Sequence, residues 1–234
     1  MPTASRFAPL LLALLAAAGA AQAEEPSRHL APGFTTRPAQ SKLLIVPAEM
    51  ELFSISAGGV QEPRADWTEA AQKNFKAALL ARKAQLGADV QELGPAQVDE
   101  FAPILTLHGN VAESIFYHHA GNGPRLPTKD AKLDWSLGEA VQPIRAATGA
   151  DYALFTWIRD SYTSGERKAA MVAMALLGAI SLGGEQVGYA SLVDLKTGRV
   201  VWFNELDRMS GDLREPQPAA ETVETLLKGF PEAR

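Results

Sequence analysis

The stretch from Tyr189 to Glu205 constrains the fold most. Tyr189–Leu195 and Val200–Glu205 are two strand-like runs, and Lys196-Thr197-Gly198-Arg199 between them is a turn where glycine is available for positive φ. Such a hairpin rules out an all-helical bundle. A third run, Asp151–Ile158 (Asp-Tyr-Ala-Leu-Phe-Thr-Trp-Ile), has the aromatic and apolar density of a central strand. Further upstream, Leu43-Leu44-Ile45-Val46 reads as a buried strand closed by Pro47. Glu49–Ser56 alternates as a second strand or extended arm, and Val90–Leu93 is a short strand.

Helical periods lie between these runs. Asp66 is placed to cap a helix with Glu69 as its capping-box partner, and Trp67, Ala71, Phe75, Ala78 and Leu79 form its apolar stripe before Gly87 stops it. Gly94-Pro95 opens a second helix, with Pro at the first position, running through Phe101, Leu105 and Ile115 to about Tyr117 with Gly109 as a weak point. Asp134 is expected to cap a third, with Leu137, Val141 and Ile144 inward and Gly149 at its end. Val223, Leu226, Leu227 and Phe230 mark a closing helix. Strands mixed with helices predict an α/β (α+β) fold: a single domain over residues 42–234, with a mixed sheet, a C-terminal hairpin and packed helices.

The amino terminus assigns a compartment. Arg6 precedes an apolar run from Phe7 to Ala18, and Ala21-Gln22-Ala23 before Glu24 is a small-x-small cleavage site, so residues 1–23 read as a signal peptide cut between Ala23 and Glu24. Residues 24–41, rich in Pro, Gly, Ser, Thr and Arg, are expected to be a flexible linker. The sequence has no cysteine, so disulfides, thiolate metal sites and lipoprotein-type acylation are all excluded from the expectation, which is a periplasmic protein that is not a lipoprotein. Its formal charge of −5 falls by one when Arg6 leaves with the signal, which disfavours nucleic acid as a partner.

The words Gly-Ala-Asp-Tyr-Ala-Leu (149–154) and Ala190-Ser-Leu-Val-Asp-Leu-Lys-Thr-Gly-Arg-Val-Val-Trp202, in this order of elements, carry a resemblance. The chain resembles the envelope α/β domains of the amino-terminal part of the Tol translocation protein, the curli secretion-channel lipoprotein and the penicillin-binding-protein activator lipoproteins. It looks most like uncharacterised exported proteins of Gram-negative bacteria. The resemblance covers roughly residues 42–230 in topology and implies a non-enzymatic role: docking onto envelope proteins or building an assembly. It assigns no catalytic residue, since Asp194 and Gly198 serve the hairpin turn and Trp202 packs on the sheet. The missing lipidation cysteine departs from several of its members.

Few segments are candidates for chemistry or contact. Residues 169–183 are apolar almost all round and, as a helix, would reach about 22 Å, short of the roughly 30 Å of a hydrocarbon core. They read as a buried crossover helix or, functionally, as a membrane or partner contact through Met171, Val172, Met174, Leu176, Leu177 and Ile180, around which a membrane-associated homo-oligomeric assembly or pore would form. His108, Glu113 and His118 stand five residues apart, a turn of about 140° each time, so only a helix broken near Gly109 could gather them with His119 around a metal. They read as surface histidines leading into a loop, and a metal-dependent enzyme is the weakest alternative. Asp151, Asp160, Glu166 and Asp194 read as strand-end and turn carboxylates. No nucleophile elbow, P-loop or dinucleotide fingerprint is present, so neither catalytic residues nor a cofactor are expected. Fractionation of the producing cell is expected to recover the protein in the soluble periplasmic pool. Retention on carbonate-washed membranes would point instead to residues 169–183.

Overall fold

The computed structural model describes residues 27–56, 58–164 and 184–234. Their core element is one long strand, β6 (Tyr152–Thr163). Its first half pairs in parallel with β1 (Lys42–Ile45), and its second half pairs in parallel with β2 (Glu49–Ile55) on the same edge. Ile45 faces Leu154 and Glu49 faces Trp157, so three residues (46–48) oppose two (155–156). This bulge falls at Pro47, which has no N–H to give to a ladder. It reverses the side-chain alternation. Leu43 and Ile45 in β1 and then Met50 and Leu52 in β2 all face the core that receives Leu154 and Ile158.

The other edge of β6 pairs antiparallel with β7 (Gln186–Asp194), β7 pairs with β8 (Arg199–Arg208), and β8 pairs with the two-residue β5 (Trp135–Ser136). The short β3 (Gln61–Pro63) lies antiparallel to β2, and β4 (Asp89–Glu92) lies parallel to β1. The result is the expected mixed sheet, of eight strands. Gly198 takes φ +73° at the hairpin turn, where a Cβ would stand 2.0 Å from the Gly138 carbonyl oxygen.

Helices cover both faces. On one lie α1 (Ala65–Ala81), α2 (Lys83–Leu86) and, later in the chain, α6 (Pro216–Leu226), with Phe75, Leu79, Leu86, Val223 and Leu226 against the sheet. On the other lie α3 (Pro95–Glu100), α4 (Ala102–Ile115) and α5 (Gln142–Thr148), with Phe101, Ala112, Ile115 and Ile144 inward. This is a three-layer α/β arrangement.

Four local expectations are corrected. Asp66 does not cap α1: the backbone N–H of Arg64 donates to the Leu52 carbonyl, which holds Arg64 at the N-cap, and its guanidinium forks onto Asp66 (3.1 and 2.9 Å). The second helix breaks at Phe101, ahead of Pro103, rather than at Gly109. Asp134 starts no helix, because Trp135 and Ser136 pair with Val200 and Arg199 and the helical turns begin only at Gly138. The described part of the expected linker, residues 27–41, is docked. Ala31 donates its N–H to the Val201 carbonyl, Phe203 donates to His29, and Phe34 packs on Tyr152.

Arg37 anchors that docked segment and is fully buried. Its Nε donates to the Pro231 carbonyl (3.0 Å) and its Nη2 to the Leu86 carbonyl at the end of α2 (2.5 Å), while its guanidinium lies 4.9 Å from the Phe230 ring. Burial lowers its pKa from the ordinary arginine value. Arg37→Ala strands two buried carbonyls and opens a cavity, and is expected to cost about 2–4 kcal/mol in urea unfolding.

Candidate functional site

The groups that looked able to do chemistry are mostly engaged in structure. His108 is buried, not on the surface. Its ring stacks on Phe155 at 3.8 Å, and Nε2 shares a 2.6 Å hydrogen bond with the fully buried Ser191 hydroxyl. Burial pushes its pKa down to about 3, so the ring is neutral. His119 is likewise buried, with Nε2 2.7 Å from the Arg28 carbonyl, and His118 holds the Pro124 carbonyl at 2.8 Å. Among the described residues no group of three His, Asp or Glu is placed to hold a metal. Asp151 accepts from the Lys42 N–H, and Asp194 accepts from Lys196 and Thr197 at the hairpin turn. Glu166 and the contact candidates Met171, Val172, Met174, Leu176, Leu177 and Ile180 lie outside the described residues, as do Ala23 and Glu24.

Asp160 is the carboxylate whose surroundings differ most from expectation. It is 2 % exposed near the end of β6, opposite Gln186 where β7 begins. Tyr162 donates its hydroxyl hydrogen to Asp160, and Gln186 donates through Nε2 (2.6 Å). Thr222 of α6 donates to Gln186 Oε1 (2.9 Å), and the Leu213 N–H donates to the Tyr162 oxygen (2.7 Å). The Arg214 guanidinium covers both Tyr162 (4.2 Å) and Trp67 (4.3 Å) and pairs with Asp212. The cluster ties α6 and α1 to the sheet where β6 ends and β7 begins. Desolvation raises the Asp160 pKa to about 6 against the opposing hydrogen bonds from Tyr162 and Gln186, with the Asp212 charge adding to the rise.

Two large concave sites stand out among the described residues. The first, about 570 Å³, sits at the carboxyl ends of β1 and β4. The chain runs from β1 straight into β2 across this end of the sheet, while β4 is entered from α2 on one face and left toward α3 on the other. Its floor is Val46, Phe75, Leu79 and Leu93, and the Lys76–Glu92 ion pair (2.6 Å) crosses its rim.

The second, about 610 Å³, runs between α3–α4 and the sheet. Its floor comes from the β6–β7 register, which pairs Trp157 with Tyr189 and stacks their rings at 5.4 Å and 11°. Val98, Leu105 and Phe116 form a half-buried apolar wall. Gly109 of α4 opens the wall, for a Cβ there would meet nothing within 4 Å. The charged residues on this groove are Glu49, Asp99 and Glu113, all acidic. Burial, together with the Glu49 and Glu113 charges, pushes the Tyr189 phenol above its ordinary pKa. Arg159 lies 4.7 Å from the Trp157 ring and donates to Glu49 (2.7 Å). Sequence reading missed this groove because it joins residues from five elements. The legible part was aromatic density at Trp157 and Tyr189.

No family model and no curated protein matches the chain. Among solved structures, the PelC dodecamer from Paraburkholderia phytofirmans overlaps at 17 % identity and a TM-score of 0.39, covering 86 % of this chain and 95 % of that one. Lipoprotein GNA1162 from Neisseria meningitidis overlaps at 16 % identity and 0.31, covering 74 % and 82 %. The LpoB C-terminal domain from Salmonella enterica overlaps at 13 % and 0.30, covering 77 % and 88 %. Overlaps of this size assign no function.

The two displaced pKa values oppose each other in acid. Asp160, raised to about 6 from 3.8, contributes stability that is complete below about pH 4 and lost as pH rises through 6. His108, lowered to about 3 from 6.5, contributes stability that is complete above pH 6.5 and lost as pH falls toward 3. Asp160→Asn removes the first effect. Relative to the parent, the variant is expected to gain about 2 kcal/mol of unfolding free energy between pH 4 and pH 7, read from urea melts across that range. A difference that stays constant with pH would contradict the assignment.

Proposed function

We propose that the protein is a non-enzymatic cell-envelope module that binds other envelope components through the groove between α3–α4 and the sheet. The observation that carries this reading is the groove's composition. An aromatic floor and a half-buried aliphatic wall lie beside carboxylates, while the groups suited to chemistry are spent on structure, His108 with Ser191 and Asp160 with Tyr162 and Gln186. Such surfaces suit recognition, in which apolar contact supplies affinity and placed polar groups supply orientation. The signal-like residues 1–23 support action in the periplasm.

Membrane contact or self-assembly is a second proposal. No helix among the described residues is long and apolar enough to cross a membrane, so that role would rest on residues 169–183.

Gly109 gives a direct test of the first reading. Gly109→Ala is expected to stabilise α4 by about 0.5–1 kcal/mol, because the added methyl has open space and alanine restricts the unfolded chain. Gly109→Leu fills the groove without loss of thermal stability. A photo-crosslinking residue at Thr106, on the groove, should capture an envelope component in the producing cell, and Gly109→Leu should abolish that adduct. Thr106 adducts that persist unchanged in Gly109→Leu would refute the groove as the binding surface.

A further inference from the structure

We infer that the groove's occupant is a basic peptide segment of a partner protein, one that alternates arginine or lysine with aliphatic residues. This rests on the binding reading above and adds the partner's chemistry. Charge is the first argument. Among the described residues the groove is lined by three carboxylates, Glu49, Asp99 and Glu113, and by no basic side chain. Glu49 is matched by Arg159. Asp99 and Glu113 are exposed and form no ion pair among the described residues, so their side of the groove presents uncompensated negative charge beside an apolar wall. At the floor, burial first and then the Glu49 and Glu113 charges push the Tyr189 phenol above its ordinary pKa, with Arg159 opposing them.

The second argument is a precedent within the chain. Arg159 shows how the aromatic floor receives a cation at its edge, with its guanidinium 4.7 Å from the Trp157 ring, one nitrogen donating to Glu49 at 2.7 Å and another 3.8 Å from Glu51. Guanidinium over an aromatic ring with a carboxylate at its edge is a favourable pairing, stronger where water is partly excluded. Glu113 and Asp99 extend the same donor-seeking rim along α4 and α3, where no cation among the described residues follows.

The third argument is shape. Val98, Leu105 and Phe116 are half-buried and apolar, so they suit aliphatic side chains, while the carboxylates beside them suit the basic ones. A volume of about 610 Å³ holds several side chains rather than a whole domain, which fits a segment.

The test uses the mature chain and three probes: a capped peptide alternating arginine with leucine, its counterpart with glutamate in place of arginine, and an oligomer of glucosamine. Binding is followed by calorimetry at low and moderate salt. Two charge-matched variants are compared, D99N/E113Q on the groove and E62Q/E139Q away from it. The arginine peptide should bind the parent with salt-sensitive affinity, D99N/E113Q should weaken it about tenfold, and E62Q/E139Q should change it less than about twofold. Equal weakening by both variants would reduce the effect to general acidity and overturn the inference. Equal affinity for the glutamate peptide, lost in Gly109→Leu, would overturn the basic partner while leaving the groove as a binding surface. Tighter binding of the glucosamine oligomer would overturn the peptide assignment. No binding of the arginine peptide would overturn the inference alone, because the Thr106 adduct tests the groove separately.

Discussion

Everything in this fold hangs on the two edges of β6. Twelve residues of one strand carry β1 and then β2 on one edge and β7 on the other. Two short strands share one edge without exposing their apolar residues because the bulge at Pro47 resets the side-chain period. Without it, Met50 and Leu52 would point to the opposite face from Leu43 and Ile45, since a shift of one residue turns every side chain over. With it, one continuous apolar face meets α1 and α6, and the other face is free to meet α3, α4 and α5.

The same register builds the groove. Trp157 and Tyr189 meet because β6 and β7 pair antiparallel in that register, and a slip would separate them. The break at Phe101 and Pro103 then lets α3 and α4 frame the two rings with Asp99 and Glu113. Polar burial elsewhere is structural. Arg37 holds the docked N-terminal stretch against the chain's last residues, and Asp160, Tyr162, Gln186 and Thr222 join the sheet to α6. Buried polar groups are costly unless they find partners. Asp160, Gln186 and Thr222 do so across long sequence separations, while Arg37 pairs through Nε and Nη2 but leaves Nη1 without a hydrogen bond among the described residues.

Much of the architecture was legible from local rules. The hairpin at Gly198, the strands closed by Pro47, the Gly94-Pro95 helix start and the Gly149 stop each depend on residues a few positions apart. The misreadings share one cause. Asp66 has the right residue type for a cap, yet the Arg64–Leu52 hydrogen bond sets where the helix begins. Asp134 precedes a helical period, yet β8 recruits Trp135 and Ser136 as an edge strand. Residues 27–41 look like linker by composition, yet β8 and the C-terminus offer them partners. His108 looked like a surface residue because nothing near it in sequence announces Ser191 and Phe155.

Sequence by itself determined the α/β class and the hairpin, because periodicity and turn chemistry are written in neighbouring residues. Tertiary structure alone decided which carboxylates are spent and which face solvent, where the aromatic pair stands, and that a glycine in α4 opens onto a groove. Those properties arise from residues brought together from β2, β6, β7, α3 and α4, and a distance in space between such residues has no counterpart in their spacing along the chain.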